Sequence, residues 1–168
     1  MKIATTFGAS KVDDPKLYEE GVELGKFLAK RGYVVKCGGY GGLMEAVSKG
    51  VKLTGGEVIG ITLKYFDEIR PENPYLTKKI QTKDLFERLK KLIEGSELFV
   101  AQMGSIGTLN EIFMVWALKY GLGMDFRICL IGEVYEEFKN CAFIPKERLG
   151  EIEIYKSLDE FKRSFDKI

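Results

Sequence analysis

The chain has 168 residues, enough for one hydrophobic core and too few for two ordinary domains. Its 26 Lys and Arg nearly balance 25 Asp and Glu, so no strong field favours nucleic acid or an anionic membrane. Apolar residues make up 45% and charged residues 30%, a globular composition, and no apolar run approaches the roughly 20 residues needed to span a bilayer.

Met1 leads directly into a strand-like run without a secretory pattern, so a cytoplasmic protein is expected. Cys37, Cys129 and Cys141 are odd in number, far apart and free of any CxxC pattern. They read as reduced, small buried side chains, not as a disulfide frame or zinc site. Histidine is absent. That removes Ser-His-Asp and Cys-His catalysis, histidine metal sites and a histidine general base. Neither a metal nor a resident cofactor is expected. Chemistry must rest on carboxylates, Lys, Arg, Tyr, Ser or Thr, or on backbone dipoles. Lys and Glu are abundant while Gln and Asn are few, which resembles thermophile usage.

Strand-like runs recur at 2–7 (KIATTF), 33–37 (YVVKC), 57–62 (EVIGIT), 97–102 (ELFVAQ), 127–131 (RICLI) and 151–155 (EIEIY). Helical patterns lie between them. The first, PKLYEEGVELGKFLAKRG, places Leu17, Val22, Leu24, Phe27 and Leu28 near 3.6 spacing and stops at Gly32. Others are 42–53, 83–95, the segment after Gly107, and 157–165. Strands alternating with helices predict βα units, and the continuous apolar runs predict doubly buried strands. The expected architecture is α/β: one Rossmann-like domain over 1–168, a doubly wound, mainly parallel sheet with helices on both faces. The stretch 64–82, KYFDEIRPENPYLTKKIQT, reads as irregular because Pro71 and Pro74 bar a continuous helix. A loop of that length suggests a functional segment or a lid.

Ligands of open α/β sheets bind outside the carboxyl ends of the strands. Three such ends carry small residues: FGASK (7–11), CGGYGGLMEA (37–46) and MGSIGTLNE (103–111). Glycines allow close backbone approach, and the N–H groups opening each following helix favour an anion. A single loop of this kind could merely be a tight βα turn. Three on one edge of the sheet point to a nucleotide or sugar-phosphate site. The binding candidates are Gly8 and Ser10; Gly38, Gly39, Gly41, Gly42 and Met44; and Gly104, Ser105, Gly107 and Thr108. Dinucleotide and P-loop fingerprints do not fit: CGGYGGLM lacks G-x-G-x-x-G spacing, no GxxxxGK[ST] run exists, and the 33–37 run ends in Cys37 where a ribose-binding acid would stand.

These three loops, in this order, resemble the Lonely-guy family, long labelled "possible lysine decarboxylase". The run LGKFLAKRGYVVKCGGYGGLMEAVSKGVKLTGGEVIGIT resembles the family's LGxxLAxRGxxxVxGGGxxGLMxAVxxxAxxxGGxVIGI. FGAS is similar to its CGSS opening, and MGSIGTLNE sits where the family has PGGxGTxxE. The resemblance implies a phosphoribohydrolase acting on nucleoside 5′-monophosphates and releasing base and ribose 5-phosphate. It implies Arg88 and Glu111 as the catalytic pair, because Arg88 holds the family arginine's spacing from the motif and Glu111 holds the glutamate's place. It does not imply a pyridoxal-phosphate lysine decarboxylase, whose His-Lys context cannot exist here. The chain departs from the pattern at Cys37, Leu89, Met103 and Ser105. A related branch, similar to molybdenum-cofactor carrier proteins, shares the glycine loops but binds without hydrolysing, and NPYLT (73–77) resembles that branch. The alternative is therefore a non-catalytic nucleotide or molybdenum-cofactor carrier.

Each member of the pair also has a plainer reading. Glu111 would complement a helix dipole, worth about 0.3–1 kcal/mol. Arg88 would be a solvated arginine on an amphipathic helix. It is the joint spacing that marks them. The segment Ile112 to Leu118 leaves no polar face for two turns, so one side is expected to cover the sheet and the other to meet a second copy of the chain.

Overall fold

The computed structural model describes residues 1–167. Seven strands form one sheet: β1 (Lys2–Phe7), β2 (Tyr33–Cys37), β3 (Val58–Leu63), β4 (Lys78–Thr82), β5 (Leu98–Ala101), β6 (Arg127–Ile131) and β7 (Glu153–Tyr155). Their order is β4-β3-β2-β1-β5-β6-β7, and every pairing is parallel. The central strand β1 sets Ala4 opposite Val35 on one side and Leu98 on the other. The chain reverses its direction of travel across the sheet between β1 and β5, a topological switch point.

The helices are α1 (Pro15–Lys30), α2 (Leu43–Leu53), α3 (Lys64–Asp67), α4 (Leu85–Ile93), α5 (Ile106–Leu122) and α6 (Leu158–Ser164). Their ends follow capping rules. Asp14 accepts the Lys16 N–H with Pro15 at the first turn, and Asp84 accepts the Glu87 N–H at 2.8 Å. Helix α5 stops at Gly123, whose φ is 63°.

Strand alternation divides the core into two layers. Val35, Cys37, Leu98, Val100 and Cys129 face α1, α2 and α6, whose Leu24, Leu28, Val47 and Phe161 complete that side. Phe7, Phe99, Ala101, Ile128 and Leu130 face the other way, against Ile93 of α4 and Ile112, Val115 and Trp116 of α5. Helices on both faces of a parallel sheet are the doubly wound arrangement.

The stretch 64–82 is not one irregular loop. It holds the single turn of α3 and the edge strand β4, KKIQT, which pairs with β3 from Ile59 opposite Lys78 to Leu63 opposite Thr82. An edge strand buries little, so its lysines break the apolar pattern that marks the other strands. Residues 133–140 and 146–151 are 3-10 turns, so β7 starts at Glu153 and not at 151. Cys37 and Cys129 are buried, whereas Cys141 is half-buried. Among the described residues, no helix is long and apolar enough to cross a membrane.

Candidate functional site

A cleft of about 500 Å³ opens at the carboxyl ends of β1, β2 and β5. The loops after these strands are laced together. The Gln102 N–H donates to Phe7 O, Ala9 N–H to Met103 O and Leu43 N–H to Ala9 O, each at 2.9 Å. A mutual fit of this kind allows almost no side chains. Gly42, with φ of 64°, would drive a Cβ to 2.3 Å from Ala9 O, so only glycine passes there. A Cβ on Gly8 would meet Leu43 at 2.8 Å, and one on Gly104 would meet the Thr108 side chain.

Helix α5 opens onto the cleft. Ser105 makes no side-chain cap, so the first N–H groups of the helix have no side-chain acceptor there. Ser105, Ile106, Gly107 and Thr108 all line the cleft. A Cβ on Gly107 would touch nothing within 4 Å, so packing does not demand glycine at that position. The open space belongs to the cleft, and the arrangement can receive an anion such as a phosphate.

Arg88 reaches in from α4. Its Nε donates to Ile61 O at 2.9 Å and its Nη2 to Gly38 O at 3.0 Å. These two bonds fix the guanidinium plane and leave other N–H groups for a ligand. Gly38 makes room for it: a Cβ there would stand 2.4 Å from Nη2 and 2.5 Å from Met44 Sδ. Helix α4 is itself gripped by β2, because the buried Lys36 donates to Lys91 O at 2.8 Å and Glu94 O at 2.6 Å.

Glu111 sits one turn into α5, half-buried in the wall of the cleft. Burial pushes its carboxyl up to about 7, while the Arg88 guanidinium pulls the other way. Among the described residues, no protein donor or ion-pair partner reaches the Glu111 carboxylate. The cleft thus holds a carboxyl poised near neutrality beside a fixed arginine and an open helix N-terminus.

Of the residues singled out from sequence, Gly8, Ser10, Gly38, Met44, Arg88, Ser105, Gly107, Thr108 and Glu111 line this one cleft. Gly39 instead lines a second cleft of about 280 Å³ beside β4, together with Tyr40, Asp67 and Asn73. Gly41, Gly42 and Gly104 line neither; Gly42 and Gly104 are packing positions behind the loops. Met103 is exposed, and its carbonyl does the lacing. Sequence patterning does not single out Phe66, Arg70, Leu85 or Asn110, which also line the cleft. They lie on α3, its trailing loop and the surface turns of α4 and α5. An arginine just before Pro71 was their only local signal.

A model of the SLOG cluster4 family matches residues 1–139, which include β1 to β6 and the whole cleft. The chain belongs to the SLOG cluster4 family. Among its relatives is a cytokinin riboside 5′-monophosphate phosphoribohydrolase of Mycobacterium marinum, 27% identical over 125 residues, covering 74% of this chain and 66% of that protein. A probable cytokinin riboside 5′-monophosphate phosphoribohydrolase of Oryza sativa is 35% identical over 117 residues, covering 66% of this chain and 47% of that one. The chain thus spans about half to two thirds of the length of these two relatives. The fold is shared end to end with solved structures. A structural-genomics target superposes with a TM-score of 0.77 at 29% identity over all of both chains. A molybdenum cofactor binding protein from Rippkaea orientalis superposes with a TM-score of 0.74 at 23% identity, covering 99% of this chain and 96% of that one.

Proposed function

We propose that this SLOG-family chain is a nucleoside 5′-monophosphate phosphoribohydrolase. The observation that carries this reading is Glu111: a carboxyl held near 7, unpartnered, beside Arg88 and one turn from the open N-terminus of α5. The names of the relatives point to the same bond.

In this reading the 5′-phosphate rests on Ser105, Gly107 and Thr108, with Gly104 packed behind them. Gly8, Ser10, Gly38 and Met44 shape the rest of the ligand bed, and Gly42 holds the loop behind it. Arg88 orients the ribose beside Glu111. Water adds to C1′ as the glycosidic C–N bond breaks and its electron pair leaves with the base nitrogen. Ionised Glu111 stabilises the oxocarbenium-like transition state, takes a proton from the water and returns it to the departing base. The products are free base and ribose 5-phosphate. A carboxyl near 7 can both accept and return that proton at neutral pH, which an ordinary glutamate does poorly.

The same architecture supports a second reading. A molybdenum cofactor binding protein shares the fold over nearly the whole chain, and Met103 and Ser105 stand where the phosphoribohydrolase motif has Pro and Gly. In that reading the cleft carries a phosphorylated ligand and cleaves nothing. Incubation with purine and pyrimidine monophosphates, followed by chromatography for free base, separates the two. Base release supports the hydrolase; tight binding without release supports the carrier.

We further place the protein in the cytoplasm as a homodimer joined through α5. Phe113, Met114 and Tyr120 are exposed on that helix, 42%, 38% and 58% respectively, apolar surface that a lone chain leaves in water.

A further inference from the structure

We propose that Arg70 is the base-reading residue of the cleft and selects 6-oxopurine over 6-aminopurine monophosphates. The inference rests on the phosphoribohydrolase reading for the placement of the phosphate.

The cleft has a direction. The helix N-terminus at Ser105 to Thr108 is one end, and Glu111 follows one turn later on the same helix. In the sheet order β3-β2-β1-β5, helix α5 with Glu111 follows β5, Arg88 bonds Gly38 O and Ile61 O at the ends of β2 and β3, and Arg70 lies beyond β3 and α3. The order along the cleft is therefore anion site, carboxyl, Arg88, Arg70. A nucleoside monophosphate runs phosphate, ribose, base. With its phosphate on α5 and its anomeric carbon at Glu111, its base arrives at Arg70.

That end is built for a flat heterocycle. The Arg70 guanidinium carbon lies 3.8 Å from the centroid of the Phe66 ring and 5.4 Å from that of Tyr40. Phe66, Leu85 and Leu89 supply apolar wall. The Tyr40 ring packs edge-on to Phe66 at 5.9 Å, and its hydroxyl accepts the Leu63 N–H at 2.8 Å. The loop carrying Arg70 is held at both ends. The Arg70 N–H donates to Phe66 O at 2.8 Å. The buried Asn73 donates to Ser48 Oγ at 3.0 Å and accepts the Tyr75 N–H at 3.0 Å.

Among the described residues, no carboxylate or carbonyl takes a hydrogen bond from the Arg70 side chain. Its planar fork of donors is free and has no acceptor of its own. The edge of a 6-oxopurine offers O6 and N7, two acceptors at the fork's spacing. Adenine offers N7 but sets its 6-amino donor against guanidinium donors. The expected discrimination is about tenfold or more.

The test measures kcat/KM and, by calorimetry, Kd for GMP, IMP and AMP on the wild-type protein and on Arg70→Met, which keeps an unbranched stem without the donors. GMP and IMP are expected to exceed AMP by about tenfold or more in both quantities, and Arg70→Met to bring the ratios close to one. AMP equal to or better than GMP, ratios unchanged in Arg70→Met, or no binding of any of the three overturns the proposal. The two readings fail separately. Binding that favours GMP without base release removes the hydrolase and leaves the Arg70 assignment standing. Base release that favours AMP does the reverse.

Discussion

A carboxyl held near 7 inside a folded protein works against the fold. Glu111 ionises near 4.5 in an unfolded chain and near 7 in the folded one. Its protonated form is the one the fold tolerates, so its contribution to stability is intact below about 4.5 and is lost as pH rises through about 7. Glu111→Gln is therefore expected to raise the melting temperature at about pH 8, by a gain on the order of 1–3 kcal/mol, and to change it little at about pH 4.5. Thermal melts of both proteins across that range check it. Activity is expected to run the opposite way, kcat rising with pH through about 7 as the base ionises. A residue that costs stability over the same range in which it promotes turnover is acting for function. Glu111 was legible from its place in MGSIGTLNE. Its raised pKa was not, because burial depends on Arg88, Leu89 and the loops that close around it.

At the scale of elements, the site depends on how α4 is held. Gly38 accepts from Arg88 and leaves space for it, and the neighbouring Lys36 ties down the far end of the same helix. Gly38→Ala is expected to displace the guanidinium, lowering nucleotide affinity about tenfold or more while the protein stays folded. Gly107→Ala, with open space around it, is expected to leave the melting temperature within about 1 °C. Calorimetry and thermal melts separate the two. Lys36→Met leaves two helix-terminal carbonyls without a donor and is expected to cost about 1–3 kcal/mol, read from urea unfolding. The glycine loops and the long helices were legible because turns and 3.6-residue periods leave strong local marks. Strand β4 was not: Lys78, Lys79 and Gln81 belong to an edge, where one neighbour and much solvent replace the apolar alternation. Arg70 escaped for the same kind of reason, since it acts through a stack on Phe66 that no spacing encodes.

For the whole molecule, parallel order with a switch between β1 and β5 places the FGASK and MGSIGTLNE loops side by side, about a hundred residues apart in sequence. The alternation of strands and helices foretold a doubly wound, mainly parallel sheet, to which the structure adds the strand order and the seventh strand, β4. The uncovered face of α5 belongs to the same scale. Phe113 stacks on Trp116 and Phe138, and with Met114 it still presents apolar surface to water. Light scattering is expected to give twice the chain mass, and Met114→Glu to shift it toward the monomer. A wild-type monomer at micromolar concentration would remove the dimer. Because α5 also opens the cleft, loss of the dimer is expected to weaken nucleotide binding as well.

The proposed reaction is cleavage, by Glu111 and Arg88, of the glycosidic bond of a nucleoside monophosphate seated on α5. Its most direct test is base release by wild type and Glu111→Gln, with nucleotide affinity measured on the same samples. The expected result is free base and ribose 5-phosphate from wild type, a loss of about 100-fold or more in kcat for Glu111→Gln, and a Kd changed by no more than a few-fold. No base from wild type with any monophosphate, or undiminished release from Glu111→Gln, would contradict it.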